Sequence, residues 1–506
     1  MVTQIIGTSA SPEQFSPKKT AIASRLGPQE RKNLSLQVLA QSEPVSRLAQ
    51  NNGVSRKFLY QQAAKASEAI DEAFTAPADD DDKVLFHLPV TKKWIRQFVL
   101  SLILICHSSF RGVIEILADL FDYPISLGTV HNIVRGAIAK SQQINNAQDL
   151  SPIRIGLPDE IFQTGKPVLV GVDAQSTYCY LLAAEEHRDE TTWGVHLLEL
   201  AEKGLHPDYT IADGGSGLRA GQAAAWDNVP CHGDVFHAER DLGKLAFFLE
   251  NRAAGCTTTR EKLERKMQRA KNKGKGQSLS KKLAVVRKAE TVAVRLAKDV
   301  RILADWMQND ILSAAGPNLQ TRQQLYDFVV EELRALEPLC PHRITGVRRM
   351  LENQRDNLLA FAGVLDERFA DLAARFNVPL FLIHAVSELK NLDQNLPLYW
   401  QRRAALQKKL REPFHPIETA VSEVIAETPR ASSLVENLNS RLRNYFFLRR
   451  HIGNDYLDLL RFFLNHRRFQ RSDRPERVGK SPAELLNGQP LPHWLELLGF
   501  ERFKRN

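Results

Sequence analysis

Strand patterns are confined to one stretch of this chain, between Lys166 and His237, and that restriction limits the folds open to it. Within the stretch, short apolar runs without helical spacing end at Gly or Asp, as buried strands do. For nearly two hundred residues after it, apolar residues such as Leu296, Val300 and Leu303 recur at steps of three and four, which is typical of helices. The sequence therefore predicts a small α/β domain set between helical segments.

The composition of the chain excludes several classes of protein. Of 506 residues, 43% are hydrophobic and 25% are charged, which excludes overall disorder and predicts about three to five domains. The longest largely apolar run, Phe98 to Cys106, is nine residues, whereas a membrane-spanning helix needs about 20. Five cysteines without a CxxC pair argue against a disulfide framework or a thiolate zinc site and favour the cytoplasm. The net charge of +9 favours a polyanionic partner.

Changes of pattern along the chain predict its domain boundaries. We expect a flexible arm at 1–28, a helix-turn-helix unit at 29–77, a second helical unit at 84–150, the first part of an α/β domain at 165–245, an α-helical insertion at 246–428, the final helices of that domain at 429–470 and a basic tail at 471–506. An acidic linker, Ala78 to Lys83, separates the two amino-terminal units.

The first amino-terminal unit has the spacing of a helix-turn-helix. Ala49 lets two helices approach, Gly53 takes a left-handed turn, and Leu59 locks the second helix. The side chains expected in the major groove of DNA are Ser55, Arg56, Lys57, Tyr60 and Gln61.

The second unit repeats the pattern between Phe110 and Val134, with Ser126 as the cap of its second helix. Thr129, Asn132 and Arg135 would face DNA there. Helical hairpins that bind nothing are common, so a purely structural role stays open for each unit. The basic stretch from Arg260 to Arg301, with fifteen Lys or Arg against four Asp or Glu, is either a solvated helix face or a further DNA-contacting surface.

Two aspartates stand at the ends of predicted strands: Asp173 after Val-Leu-Val-Gly-Val, and Asp213 after Tyr-Thr-Ile-Ala. A carboxylate buried without a partner is costly, and carboxylates that converge from neighbouring strands usually hold a hard cation such as Mg²⁺ or Mn²⁺. Such ions can activate a water or hydroxyl for attack on a phosphodiester. The alternative is that each aspartate caps a turn through its side-chain oxygen.

These residues resemble the DDE transposases of bacterial insertion sequences. Asp173 resembles the first catalytic aspartate of that family and Asp213 the second. The segment Cys231-His-Gly-Asp234-Val-Phe-His237 is similar to the C/D-x-x-H signature of Mutator-like families. The segment from Glu436 through Asn439 to Arg443 resembles the helix that carries the third acid, with all three side chains on one face.

The resemblance implies an RNase H-like catalytic domain, as in retroviral integrases, interrupted between Asp213 and Glu436 by the all-α insertion. It implies a Mg²⁺-dependent enzyme with Asp173, Asp213 and Glu436 as catalytic residues and metal ligands. Its partners would be double-stranded DNA, namely terminal inverted repeats and target DNA, and further copies of itself, in the cytoplasm at the nucleoid. Rival interpretations are a non-catalytic DNA-binding regulator, an inactive transposase-derived protein, or an RNase H-like nuclease without strand transfer.

Two roles stay open for the supporting residues. Asp234 and His237 either orient a metal ligand or phosphate, or form a polar strand end. Glu436 either is the third acid or completes a capping box with Ser433.

Overall fold

The computed structural model describes residues 26–74, 84–272, 277–430, 432–449 and 452–503. The chain divides into two compact units, residues 1–89 with 505–506, and residues 90–504. Most of the predicted arm at 1–28 and the linker from Ala78 to Lys83 lie outside the described residues. No helix in the described part of the chain has the length and apolar character needed to cross a membrane.

The amino-terminal unit contains the predicted helix-turn-helix. Its described helices are α1 (Pro28–Leu39), α2 (Val45–Asn51) and α3 (Arg56–Phe74). Ala49 and Leu59 are buried in its small core, and Gly53 has a φ of +62°, which an L side chain rarely adopts. The turn therefore has the geometry that the spacing predicted.

Three helices begin the second unit: α4 (Lys92–Leu104), α5 (Phe110–Phe121) and α6 (Leu127–Ala147). The predicted cap is present, because the Ser126 hydroxyl accepts a hydrogen bond of 3.1 Å from the Thr129 N–H. These helices share one hydrophobic core with the sheet that follows. They are thus built into the α/β domain.

The domain centres on a mixed five-stranded sheet with the order β3-β2-β1-β4-β5. Its strands are β1 (Ile155–Gln163), β2 (Lys166–Asp173), β3 (Cys179–Ala184), β4 (Tyr209–Ala212) and β5 (Cys231–Gly233). Strand β2 runs antiparallel to β1 and β3, whereas β4 runs parallel to β1 and β5. The sequence predicts a hairpin of strands at Val168–Asp173 and Thr177–Ala183 and a further strand at Tyr209–Asp213, which correspond to β2, β3 and β4; β1 was not predicted.

Helices cover both faces of the sheet. Helices α7 (Glu190–Glu202) and α8 (Ser216–Ala225) pack on one face, where Trp193 is fully buried beside Leu169 and Leu218. Helices α4 to α6 cover the other face together with α16 (Ser433–Leu448) and α17 (Asn454–His466). The sequence pattern predicts these last two helices at Ser433–Phe447 and Asp455–Asn465, within one residue of the observed bounds at each end. Two short helices close the chain, α18 (Pro482–Asn487) and α19 (Trp494–Leu497).

An all-helical block lies between β5 and α16, as predicted, and has its own hydrophobic core. It consists of α9 (Val235–Lys271), α10 (Gln277–Trp306), α11 (Leu319–Leu336), α12 (Pro341–Phe376), α13 (Leu380–Lys390), α14 (Pro397–Leu410) and α15 (Phe414–Glu427). The block starts at Val235, eleven residues before the predicted boundary at 246, because β5 is short and α9 follows it directly.

The basic stretch from Arg260 to Arg301 spans α9 and α10. Several of its arginines form ion pairs between the two helices: Arg260 with Glu290 at 2.7 Å, Arg287 with Glu264 at 2.7 Å and Arg301 with Glu250 at 2.7 Å. These contacts give part of the positive charge a structural role in joining the helices. Exposed ion pairs of this kind contribute little individually.

The sheet generates a stability prediction at Gly171 in β2. A Cβ at this position would lie 2.1 Å from Cε2 of Tyr180, so Gly171→Ala must displace a fully buried ring. We expect a loss of about 1–3 kcal/mol in the free energy of unfolding, measured with urea. Gly243→Ala in α9 is the control: nothing lies within 4 Å of its added Cβ, and we expect a gain of up to about 1 kcal/mol. Adding Tyr180→Leu to Gly171→Ala should recover part of the loss, and no recovery would contradict the proposed clash.

Candidate active site

Asp159, in the middle of β1, lies beside Asp213. Strands β1 and β4 pair in parallel at Ile155 with Tyr209 and at Gly156 with Thr210. Continuing this register by three residues brings Asp159 level with Asp213, which directly follows β4. Adjacent strands lie about 4.8 Å apart. The extended register therefore places the two aspartates at the same level of neighbouring strands.

Helix α16 adds the third carboxylate and an amide. The Asn439 Nδ2 donates a 2.7 Å hydrogen bond to Oδ2 of Asp159, and the Asn439 side chain is only 1% exposed. Glu436, one turn earlier, presents its carboxylate on the same side. The helix that carries Glu436 and Asn439 thus contacts an aspartate, but this residue is Asp159 and not the predicted Asp173.

The pKa of Asp159 is affected by both of the other acids. Burial raises the pKa of Asp159 to about 6, the Glu160 backbone N–H opposes this, and the negative charges of Glu436 and Asp213 raise it further. Asp213 itself is exposed, and its Oδ1 accepts a 2.9 Å hydrogen bond from the Gly215 N–H. The three acids form one negatively charged cluster, for which a cation would be the natural counter-charge.

Asp173 does not join this cluster, contrary to the expectation from sequence. It pairs with Gly156 in the β1–β2 register, three residues or about 10 Å along the strand from the level of Asp159. Because side chains alternate along a strand, Asp173 also points to the opposite face of the sheet. Its Oδ2 accepts hydrogen bonds from the Ser176 N–H at 2.7 Å and the Ser176 hydroxyl at 2.5 Å. The turn-capping alternative describes its contacts.

Asp234 and His237 connect the sheet end to α16. Asp234 is fully buried at the start of α9 and accepts hydrogen bonds from Nδ1 of His237, from the Ser432 hydroxyl and, at 3.1 Å, from the Ser432 N–H. Burial alone would raise the pKa of Asp234, but the hydrogen bonds from His237 and Ser432 outweigh it and hold that pKa below its usual value. Asp234 therefore has a structural role in fixing two helix starts.

His237 faces the acid cluster with its other nitrogen. Its Nε2 lies 3.9 Å from Oε1 of Glu436. The hydrogen bond to Asp234 raises the pKa of His237 above its usual value, although burial opposes this. His237 is thus part of the polar strand end, and its second ring nitrogen faces the Glu436 carboxylate.

Glu436 does not form the capping box that was its alternative role. Helix α16 begins at Ser433 with Ser432 at the cap position, and no side chain caps it in the usual way. Instead the Ser432 hydroxyl donates to Asp234, while the Glu436 Oε2 lies 3.5 Å from a guanidinium nitrogen of Arg443. A guanidinium nitrogen of Arg240 is 4.0 Å from Oε1. The Glu436 side chain, 24% exposed, is directed towards charged neighbours in the site.

The helical block forms one wall of the site. A Cβ on Gly233 in β5 would lie 3.0 Å from the backbone nitrogen of Leu358 in α12, so strand and helix approach backbone to backbone. A Cβ on Gly214 would lie 2.6 Å from Nε2 of Gln354. Helix α12 therefore adjoins the turn that carries Asp213.

Oxygen ligands and clustered negative charge suit Mg²⁺ or Mn²⁺. Among the residues that the structure describes, no three His, Cys, Asp or Glu side chains are arranged closely enough to coordinate one ion as they stand. Asp159 is held by Asn439, and Glu436 lies between arginines and His237. The donor chemistry fits a divalent cation, while its binding would require these side chains to reorient.

The predicted DNA-contacting residues lie on two helices, one in each compact unit. Ser55, Arg56, Lys57, Tyr60 and Gln61 are all exposed at the start of α3. Thr129, Asn132 and Arg135 are exposed along the first half of α6, and Thr129 and Asn132 line a groove that Lys92, Lys93 and Arg96 also border. Each set occupies the accessible side of its helix, as a groove-contacting role requires.

Asp159 generates a prediction about stability and pH. Its pKa of about 6 in the folded chain exceeds the value of about 3.9 expected when unfolded, so ionising it costs stability as the pH rises through this window. Without divalent cations, Asp159→Asn should increase the free energy of unfolding at pH 8 by up to about 2–3 kcal/mol and raise the melting temperature accordingly. This gain should vanish near pH 4. The exposed Asp227→Asn is the control. A destabilised Asp159→Asn protein at pH 8 would contradict the carboxylate cluster.

Comparison of the sequence with models of known protein families gave no match, and comparison with curated proteins gave none either. The assignment of a function therefore rests on the residues and geometry described above.

Proposed function

We propose that this chain is a DNA transposase of the DDE type, whose catalytic acids are Asp159, Asp213 and Glu436. The observation that carries the proposal is the convergence of these three carboxylates from β1, from the end of β4 and from a helix beyond a large insertion. A sheet of three antiparallel strands followed by two parallel ones supports an RNase H-like catalytic domain. This replaces Asp173 of the sequence-based prediction with Asp159.

A Mg²⁺ or Mn²⁺ ion would be held by these three carboxylates and would supply activation of a water or 3′ hydroxyl and stabilisation of the leaving oxygen. Asn439 holds Oδ2 of Asp159, which fixes the orientation of that carboxylate. Asp234 accepts from Nδ1 of His237, so the Nε2 of His237 is the nitrogen that faces Glu436. The charge of Arg188, which lies 2.6 Å from Oε2 of Glu160, adds a cation near Asp213.

Double-stranded DNA would be bound through the exposed faces of α3 and α6, which contact element ends, and through phosphate contacts from basic side chains. Because two element ends must be handled together, the active form would contain more than one copy of the chain. These partners follow from the proposed activity.

The test of catalysis compares two aspartates in β1 and β2. With DNA that flanks the coding segment and with added Mg²⁺, Asp159→Asn and Glu436→Gln should lose strand cleavage by at least about 10³-fold. Asp173→Asn, the matched control, should cleave normally once folded, since Asp173 lies about 10 Å along the strands from Asp159 and points to the opposite face of the sheet. An inactive but folded Asp173→Asn protein together with an active Asp159→Asn protein would overturn the assignment.

The products of the same assay separate the rival functions. Nicks without joined products would indicate a nuclease that lacks strand transfer. Specific binding without any cleavage by the native chain would indicate a regulator or an inactive transposase-derived protein.

Sequence recognition by α3 gives a separate prediction. Arg56→Ala combined with Gln61→Ala should weaken binding to element ends by about 1–3 kcal/mol for each base that these side chains recognise, measured by fluorescence anisotropy. Lys65→Ala removes one positive charge from the same helix, as the double variant does, and should weaken specific and non-specific DNA equally and only slightly. An unchanged preference for element ends in the double variant would move recognition to another surface.

A further inference from the structure

An arginine-lined cleft lies on the flank of α16 opposite the acid cluster. Its volume is about 510 Å³, and its walls come from α16, the turn after β2 and the segment between α17 and α18. Its polar lining includes Thr177, Asn437, Arg441, Arg471, Arg474 and Arg477. Asp473 is the one acidic side chain among the described residues that line it.

Three of the four arginines that line this cleft lack a paired side chain in the described part of the structure. Among the described residues, Arg441, Arg471 and Arg474 make no side-chain hydrogen bond or ion pair. Arg441 is half-buried, and the positive charge of Arg467 repels it. Half-burying a guanidinium without a counter-ion is unfavourable, and an anion bound in the cleft would offset this cost.

Arg477 differs, because it also has a structural contact. It is 7% exposed and donates a 2.6 Å hydrogen bond to the backbone oxygen of Gln175, next to the turn that Asp173 caps. This contact holds the segment after α17 against the sheet. The fixed Arg477 and the half-buried Arg441 form the floor of the cleft, whereas Arg471 and Arg474 are exposed at its rim.

The two flanks of α16 are related by the helical repeat. At 3.6 residues per turn, Glu436, Asn439 and Arg443 lie on one side, and Leu434, Asn437 and Arg441 lie on the other. The buried residues Val435, Leu438 and Leu442 lie between them and face the sheet. Only the width of one helix, about 10–12 Å, therefore separates the acid cluster from the arginines.

We propose that this cleft binds the phosphate backbone of the DNA strand that is cut at the acid cluster. The inference rests on the proposed function. At about 3.4 Å per nucleotide, a strand that crosses α16 would place a phosphate roughly three nucleotides from the scissile one beside Arg441. A polyanion fits better than a small anion because the cationic groups extend from floor to rim.

The test measures binding of the full-length chain to a fluorescein-labelled 30-base-pair duplex of arbitrary sequence (about three helical turns) in EDTA, across a range of NaCl concentrations. Arg441→Gln with Arg474→Gln should weaken binding by about 10- to 60-fold near 0.1 M salt and reduce the slope of log K against log salt by about 2. The control pair Arg375→Gln with Arg402→Gln makes the same change of charge on exposed sites of α12 and α14 and should change affinity less than about twofold.

The outcomes are distinguishable. Equal affinity and slope for the native chain and the cleft variant would overturn the proposal. If millimolar inorganic phosphate raises the melting temperature of the native chain while the cleft variant binds DNA normally, the cleft is a site for a free anion. That result would also overturn the proposal. If Arg441→Gln lowers the melting temperature, the rim pair Arg471→Gln with Arg474→Gln gives the same test. DNA binding is measured in EDTA, so it does not depend on metal-dependent cleavage. An unchanged affinity of the cleft variant would therefore contradict only the role of the cleft, and undiminished cleavage by the Asp159→Asn protein would contradict only the proposed catalytic function.

Discussion

The carboxylate of Asp234 is the contact on which the arrangement of this domain depends. It joins the residue where the chain enters the helical block to the residue where the chain returns, because both the N–H and the hydroxyl of Ser432 donate to it, 198 positions later. The Val235 N–H adds a 3.2 Å hydrogen bond to the backbone oxygen of Arg430. A long closure costs little more than a short one when its ends are fixed in this way. Helix α16 can therefore lie beside β1 although nearly the whole helical block separates them in sequence.

The Asp234 carboxylate also positions other residues of the candidate site. It fixes the ring of His237, whose Nε2 faces Glu436, and it sets the start of the helix that carries Glu436 and Asn439. Removing the Asp234 carboxylate would leave two buried donors of Ser432 unpaired, which is costly. The polar sequence from Asp234 to His237 thus fixes the start of the helix that carries Glu436 and Asn439.

Sequence alone was sufficient for the helix-turn-helix, the β2–β3 hairpin, the helical block and the shared helix face of Glu436 and Asn439. These features depend on local patterns: a glycine turn, apolar strand runs, helical periodicity and helix-face spacing. It failed at β1, because Gly156 and Pro158 interrupt the strand and Asp159 and Glu160 make its centre acidic. The alternation of Ile155, Leu157 and Ile161 was the signal that could have revealed the strand. Without β1, the strongest apolar run, which ends at Asp173, resembles the first strand of the sheet. Which face a strand residue occupies depends on register, and register is a tertiary property.

The close approach of α12 to β5 has a mechanical consequence. Helix α12 has 36 residues, so it is a rod about 54 Å long, and it meets Gly233 near its midpoint while its remaining length is packed into the helical block. A tilt of about 10° around that contact would move either end by roughly 5 Å, by simple geometry on that length. The side chain of Gln354 would move with it against the Gly214 backbone, directly after Asp213. Events on the distant surface of the helical block are thus physically connected to the turn that carries an acid of the site.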